Sequence, residues 1–363
     1  MSVPHLVIAA GGTGGHMFPA QALAEEMLAR GWRVVLSTDA RGAGYAGGFP
    51  AAVIRTVAAS ASPSRGGVWA RLLVPLRLAW GVAMAAAAML QRRPACVIGF
   101  GGYPAIPALT AAWILRIPRL IHEQNAVLGR VNEVFARRVH FVACGSWPTD
   151  LPRGVTGRHI GNPLRQAVAQ AAGTAYAPPG LAAGLLVFGG SQGAGIMRVV
   201  PEAVALLSDR MRAGLTVAQQ ARAEDAEAVR AAYAAMGVAA EVQPFFTDMP
   251  KRLATAQLVI CRAGAASVAD IAAVGRPAIF VPLALALRNE QTANAAAMAM
   301  AGAAEIVPES QLTAARLAGH IAAILGDPAR ASAMAHAAAQ LGRVDAAQRL
   351  ADIVIALAKG ERP

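Results

Sequence analysis

The stretch His5-Leu6-Val7-Ile8-Ala9-Ala10-Gly11-Gly12-Thr13-Gly14-Gly15-His16 decides the fold of this chain. Its first six residues form a short apolar run, β-branched at Val7 and Ile8, as a strand buried on both faces requires. The glycines then turn the chain without the Cβ atoms that would keep backbone N–H groups away from an anion. Residues 19–30 read as a helix that stops at Gly31, and residues 32–37 as a second strand. Strand, glycine turn, helix and strand make the beginning of a parallel, doubly wound sheet.

The arrangement recurs half a chain later. Gly184-Leu185-Leu186-Val187-Phe188 is again a buried-strand run, and it leads into Gly189-Gly190-Ser191-Gln192-Gly193-Ala194-Gly195. Between the two glycine loops, residues 96–99, 119–122 and 139–143 read as strands. Beyond the second, residues 216–218, 242–246, 258–260 and 278–281 do the same. The expected fold class is α/β, with two Rossmann-like domains facing a cleft and a boundary near Gly161-Asn162-Pro163. A length of 363 residues suits two such domains, 1–162 and 163–363, with a last helix near 343–359 able to pack back on the first.

Composition narrows the function classes. The chain is 56% hydrophobic and 15% charged, which excludes a disordered protein. Its formal charge of +12 suits an anionic partner: a nucleoside diphosphate, anionic lipid or nucleic acid. Nucleic acid is disfavoured, because aromatic residues are only 5% and no basic and aromatic stripe is interleaved. Cys96, Cys144 and Cys261 lack C-x-x-C spacing, so free thiols are expected and a zinc site has no ligand set. The apolar run 6–10 is too short for an ordinary signal peptide. Neither glycine loop has good dinucleotide form. The first lacks the final glycine of G-x-G-x-x-G, and Asp39 is the only acidic residue near the end of the second strand.

A larger set of motifs carries a resemblance. They are Gly11-Gly12-Thr13-Gly14-Gly15-His16-Met17-Phe18-Pro19-Ala20, Gly99-Phe100-Gly101-Gly102-Tyr103, His122-Glu123-Gln124-Asn125, Gly161-Asn162-Pro163-Leu164-Arg165 and Gly189-Gly190-Ser191-Gln192-Gly193-Ala194. Cys261-Arg262-Ala263-Gly264-Ala265 and Gln291-Thr292-Ala293-Asn294-Ala295 complete it. In this order and spacing, over nearly the whole chain, the sequence resembles the MurG family of GT-B glycosyltransferases, family 28. The resemblance implies inverting transfer of N-acetylglucosamine from UDP-N-acetylglucosamine to the C4 hydroxyl of undecaprenyl-diphosphate-linked muramoyl-pentapeptide, which converts lipid I to lipid II.

It also implies roles. His16 is the leading candidate for general base or for a donor-sugar contact. Glu123 and Asn125 are rivals for positioning the acceptor or assisting proton transfer. Thr13, Gly14, Gly15, Asn125, Arg165, Gly190, Ser191, Gln192 and Gly193 are expected at the donor, the last four at its diphosphate. Phe246 is expected to read the uracil edge through its main chain. Gly264 and Ala265 are expected at the donor, Asp270 at its ribose, and Gln291 and Asn294 at the sugar hydroxyls. Gly12, Gly101, Gly102 and Tyr103 are expected at the acceptor. The family usually has Glu at the position of Asp270, so a shorter carboxylate must reach or use a water. No Asp-x-Asp is present, so glycine-loop N–H groups, a helix N-terminus and Arg165 would carry the diphosphate charge, with neither metal nor cofactor required.

Residues 68–90 are mostly apolar but are interrupted by Arg71 and Arg77 and flanked by Arg65, Arg92 and Arg93. Central arginines penalise a spanning helix, whereas an interfacial element on an anionic surface fits. The expected location is therefore peripheral, on the cytoplasmic face of the inner membrane through the 65–93 segment, with cell-wall synthesis proteins as partners. Another GT-B enzyme, such as a UDP-N-acetylglucosamine 2-epimerase or a glycolipid synthase, is the nearest alternative. A nucleotide-dependent dehydrogenase and a membrane-surface binding module are further ones.

Overall fold

Residues 3–44, 46–57, 74–189, 194–284 and 287–362 are described by a computed structural model. The opening run forms β1 (His5–Ala9), buried along its whole length. Parallel partners flank it: β2 (Arg33–Thr38) on one side and β4 (Cys96–Gly99) on the other. With β3 (Ile54–Val57), β5 (Arg119–Glu123), β6 (Phe141–Cys144) and β7 (Gly157–His159) the sheet runs β3-β2-β1-β4-β5-β6-β7. A second sheet uses β8 (Ala183–Phe188), β9 (Leu215–Gln220), β10 (Ala239–Gln243), β11 (Leu258–Cys261), β12 (Ala278–Phe280) and β13 (Ala304–Ile306). Its order is β10-β9-β8-β11-β12-β13. In both sheets the strand order reverses beside the first strand, between β1 and β4 and between β8 and β11. Ligands of open α/β sheets bind outside the carboxyl ends of strands at such switch points.

The chain divides into two compact units, Met1–Arg165 with Val344–Pro363, and Gln166–Arg343. The first unit's core joins Leu6 and Ile8 of β1, Leu23 and Met27 of the helix Gly14–Ala29, and Leu350, Ile353, Val354 and Leu357 of the last helix, Ala346–Ala358. Arg30 reinforces that packing by pairing with Asp352 at 2.5 Å and with Glu26 at 2.6 Å. The second unit has its own core, built from Leu185 and Val187 of β8, Ile260 of β11 and Ile321 and Ile324 of the helix Ala314–Leu325.

Two local readings need correction, and three strands were not read. The first helix begins at Gly14 rather than at residue 19, and Pro19 lies inside it. Pro19 forgoes only the bond that its N–H would make to the Gly15 carbonyl, one turn from the start. The strand expected over 242–246 ends at Gln243, because Pro244 has no N–H to continue the ladder. The short edge strands β3, β7 and β13, three or four residues each, carry too little period-2 pattern to read from sequence.

Candidate active site

The first glycine turn is held from below by a residue that the sequence left without a role. Asp39, buried where it follows β2, accepts from the Gly12 N–H at 3.2 Å and the Gly42 N–H at 2.8 Å through Oδ1. Its Oδ2 receives the Arg41 Nε–H at 3.2 Å. A Cβ at Gly11 would stand 2.8 Å from Asp39 Oδ1 and 2.7 Å from Pro104 Cγ, so only glycine lets the turn close there. The acidic group that a dinucleotide site presents to a ribose is thus spent on the loop itself, which argues against the dehydrogenase reading.

Beyond this turn the helix Gly14–Ala29 begins with Thr13 as its N-cap. The Thr13 side chain makes no capping bond, and the first turn holds no acidic residue. The carboxylate beside its positive end is that of Asp39, on the Gly12 N–H just ahead of the N-cap. His16 lies in that first turn, and its Nδ1 sits 3.0 Å from the Gly11 carbonyl. A carbonyl only accepts, so Nδ1 carries the proton, and in the neutral ring Nε2 holds the lone pair.

The turn after β4 is built around that ring. Gly101 and Gly102 have φ of +91° and +74°, a region where L side chains are strained. A Cβ at Gly101 would stand 3.3 Å from His16 Nε2, and one at Gly102 would stand 3.4 Å from His16 Nδ1. The two glycines thus give His16 its room. Tyr103 follows them, half-buried, just ahead of the helix Ala105–Ile114.

Glu123, at the end of β5, is 1% exposed, and its carboxylate is fully engaged. Oε1 accepts from the Asn125 N–H at 3.0 Å and from Asn125 Nδ2 at 3.1 Å. Oε2 accepts from the Gly129 N–H at 2.9 Å and from Asn132 Nδ2 at 2.8 Å. Asn132 also donates to the His122 carbonyl at 3.2 Å, and a Cβ at Gly101 would stand 3.4 Å from its Nδ2. The carboxylate organises the 124–129 loop and, through Asn132, connects it to the His16 turn. Asn132 was not singled out by sequence, and Asp39 was noted only as an acidic residue near the end of the second strand. A buried amide nine residues beyond Glu123 has no local signature, since it meets its partners on β5 only when the helix Arg130–Ala136 packs back on that strand.

His122 is fully buried beside Phe100, ring centroids 5.4 Å apart. Nε2 lies 3.2 Å from the Gly161 carbonyl, and Nδ1 lies 3.2 Å from the Gln124 amide nitrogen. The first nitrogen donates and the second accepts, which describes a neutral ring. Burial lowers its pKa to about 4. Arg165 places its guanidinium 4.4 Å from the Phe18 ring centroid, on the first helix.

In the second unit, Gly264 is the N-cap of the helix Ala265–Val274, which again has no acidic residue in its first turn. Asp270 stands half-buried within that helix. Arg262, at the end of β11, donates to the carbonyls of Val281 at 3.1 Å and Pro282 at 3.3 Å and pairs with Glu309 at 2.5 Å. Glu309 accepts in turn from the Ala284 N–H at 3.0 Å, and its pKa is lowered chiefly by the Arg262 hydrogen bond. Gln291 accepts from the Leu283 N–H at 3.0 Å through its side-chain oxygen. Asn294 is buried and donates to the Ala263 carbonyl at 3.2 Å. Both amides expected at sugar hydroxyls therefore also fix the loops that follow β11 and β12. Phe246 buries its ring at 2% exposure. Gly190, Ser191, Gln192 and Gly193 lie outside the described residues.

Comparison with known proteins shows the family. Residues 6–144 match the glycosyltransferase family 28 N-terminal domain, and residues 184–350 match the C-terminal domain of that family. A relative from Chelativorans sp. (strain BNC1) is 49% identical, with 98% of this chain and 96% of the relative covered. One from Rhodopseudomonas palustris is 46% identical over 98% and 99%. Both are named UDP-N-acetylglucosamine–N-acetylmuramyl-(pentapeptide) pyrophosphoryl-undecaprenol N-acetylglucosamine transferase. The crystal structure of Acinetobacter baumannii MurG superposes with a TM-score of 0.77 at 31% identity, covering 97% of this chain and 99% of that one. A kitacinnamycin glycosyltransferase structure, 19% identical with a TM-score of 0.72 over 98% and 100%, shares the fold. With two parallel-sheet α/β units of the GT-B type and full-length relatives of one kind, the chain belongs to glycosyltransferase family 28.

Proposed function

We propose that the chain transfers N-acetylglucosamine from UDP-N-acetylglucosamine to the C4 hydroxyl of lipid-linked muramoyl-pentapeptide, with inversion at the anomeric carbon. The observation that carries the chemistry is His16. Its Nδ1 is engaged by the Gly11 carbonyl, which leaves the Nε2 lone pair beside the side-chain-free turn of Gly101 and Gly102. In the transfer the acceptor O4–H gives its proton to Nε2 as the oxygen bonds to C1 of the sugar. The C1–O bond to UDP breaks, and its electron pair leaves on the diphosphate.

The first unit takes the acceptor, with Gly12, Gly101, Gly102 and Tyr103 along it, and the second takes the donor. Glu123 acts by holding Asn125 and the 124–129 loop, because four donors already occupy its oxygens. Phe246, Gly264, Ala265, Asp270, Gln291 and Asn294 form the donor side with Ser191 and Gln192. Thr13, Gly14, Gly15 and Arg165 are the donor contacts assigned to the first unit. The N-termini of the helices Gly14–Ala29 and Ala265–Val274, whose first turns hold no acidic residue, would stabilise phosphate charge. This electrostatic set replaces the paired carboxylates of metal-dependent transferases, so neither metal nor cofactor is needed.

A lipid-linked acceptor also accounts for the helix Val74–Gln91. Among the described helices it is the one long and apolar enough to cross a membrane, yet only Gly81 and Met89 are buried in it. Leu76, Trp80 and Met84, four residues apart, form an exposed apolar stripe, and Arg77 stands beside it. A stripe with a flanking cation suits an interfacial helix on the anionic cytoplasmic leaflet of the inner membrane. Residues 65–73 of the expected contact segment lie outside the described residues.

The test is transfer from labelled UDP-N-acetylglucosamine to a lipid I analogue in the presence of EDTA. The expected result is labelled disaccharide lipid plus UDP. Turnover of the donor without product on the analogue would instead support a 2-epimerase.

A further inference from the structure

Arg252 spends its whole guanidinium on the turn that leads out of β10. Nη1 and Nη2 grip Glu241 of β10 as a fork, at 2.7 Å to Oε2 and 2.8 Å to Oε1. Nε donates to Asp248 Oδ1 at 2.7 Å, and the guanidinium carbon stands 3.9 Å from the centroid of the Phe246 ring. These partners belong to successive segments: the strand, the turn, and the N-cap of the helix Met249–Thr255 that carries Arg252. The Phe246 ring is sealed in, while no main-chain partner meets its N–H or C=O among the described residues.

We propose that Arg252 is a positioning residue that fixes the pose of residues 246–248 and thereby sets the nucleobase selectivity of the donor site. The proposal rests on the reading above that the Phe246 main chain meets the uracil edge. An N–H beside a C=O pairs with uracil, which offers an acceptor at O4 and a donor at N3. Cytosine reverses both groups. A turn that rocks about its strand loses this discrimination before it loses diphosphate binding. Lysine cannot replace Arg252 here, because a point charge supplies neither the planar stack nor the fork.

The experiment compares wild type, Arg252→Lys, Arg252→Ala and Glu241→Gln in the full-length chain. It measures the Kd of UDP and of CDP by calorimetry and the KM and kcat for UDP-N-acetylglucosamine, with thermal unfolding as the control. Wild type should prefer UDP. Arg252→Lys and Arg252→Ala should weaken UDP about tenfold with little change for CDP, equivalent to about 1.4 kcal/mol. KM for the donor should rise in parallel while kcat stays within about twofold. Glu241→Gln, which retains the stack, should lose part of the preference and serves if Arg252→Ala does not fold. Folded variants with an unchanged UDP-to-CDP ratio overturn the proposal, as does an equal loss for both nucleotides accompanied by a fall in kcat. A wild-type chain that shows no UDP preference overturns the base-reading site and the proposal with it.

Discussion

Replacing Glu123 by glutamine separates a structural carboxylate from a chemical one. Each carboxylate oxygen accepts two bonds, from Asn125 N and Nδ2 on one side and from Gly129 N and Asn132 Nδ2 on the other. Glutamine keeps one acceptor oxygen and turns its NH2 toward two donors. Two charge-assisted bonds are lost and a donor-to-donor contact replaces them, in a site where Glu123 is 1% exposed. At about 1.5–3 kcal/mol for each hydrogen bond to a charged group, the expected destabilisation is about 3–6 kcal/mol. That is a large share of the stability of a typical domain, about 5–15 kcal/mol. Urea unfolding should show a midpoint shifted well below wild type, and transfer activity at low temperature should fall with the disordered 124–129 loop. A Glu123→Gln chain that unfolds like wild type but has lost all activity would refute this reasoning and return Glu123 to proton transfer.

Other consequences follow from neighbouring residues. His122 has a folded pKa of about 4 against 6.5 when free, so only the unfolded chain binds that proton between those values. Its contribution is therefore complete above pH 6.5 and lost as pH falls toward 4, by up to about 1.4 kcal/mol per pH unit. Denaturant midpoints of His122→Gln should depend less steeply on pH in that window, and an unchanged slope would count against the neutral buried ring. Gly101→Ala introduces a Cβ 3.3 Å from His16 Nε2 at φ +91°. It should cost about 1–2 kcal/mol of stability and lower kcat by at least about tenfold through the displaced imidazole, the lower side of general-base contributions; wild-type turnover would refute the contact. Removing Val344–Pro363 takes Leu350, Ile353, Val354 and Leu357 out of the first unit's core. At about 1.5–3 kcal/mol per buried side chain, that unit should fail to fold cooperatively in calorimetry, and an unchanged transition would contradict the packing.

The sequence carried the fold where patterns are local. The buried runs at β1, β4, β5, β8 and β11 and the two glycine loops announce themselves through apolar, β-branched residues followed by turns. Legibility failed where a residue acts through the fold. Asp39 looked like a misplaced ribose ligand, but its oxygens reach back to Gly12 because β1 and β2 are paired in parallel. Asn132 and Arg252 are an ordinary amide and an ordinary helix-surface cation until strands bring Glu123 and Glu241 to them. The start of the first helix was missed because Pro19 conceals the glycine-rich turn before it. Motif order named candidate residues, but it did not show the interactions that hold them. Gln291 and Asn294 show this well, since their loop contacts depend on partners eight and 31 positions away.

The central claim is that His16, locked by the Gly11 carbonyl with its Nε2 lone pair exposed to the Gly101 turn, takes the acceptor proton. Its most direct test is kcat for transfer to the lipid I analogue by wild type and His16→Ala, with UDP affinity measured on both. The account predicts a fall in kcat of at least about tenfold, within reach of the roughly 10²–10⁴ of general-base catalysis, while the Kd of UDP is unchanged. Full activity in His16→Ala would contradict it.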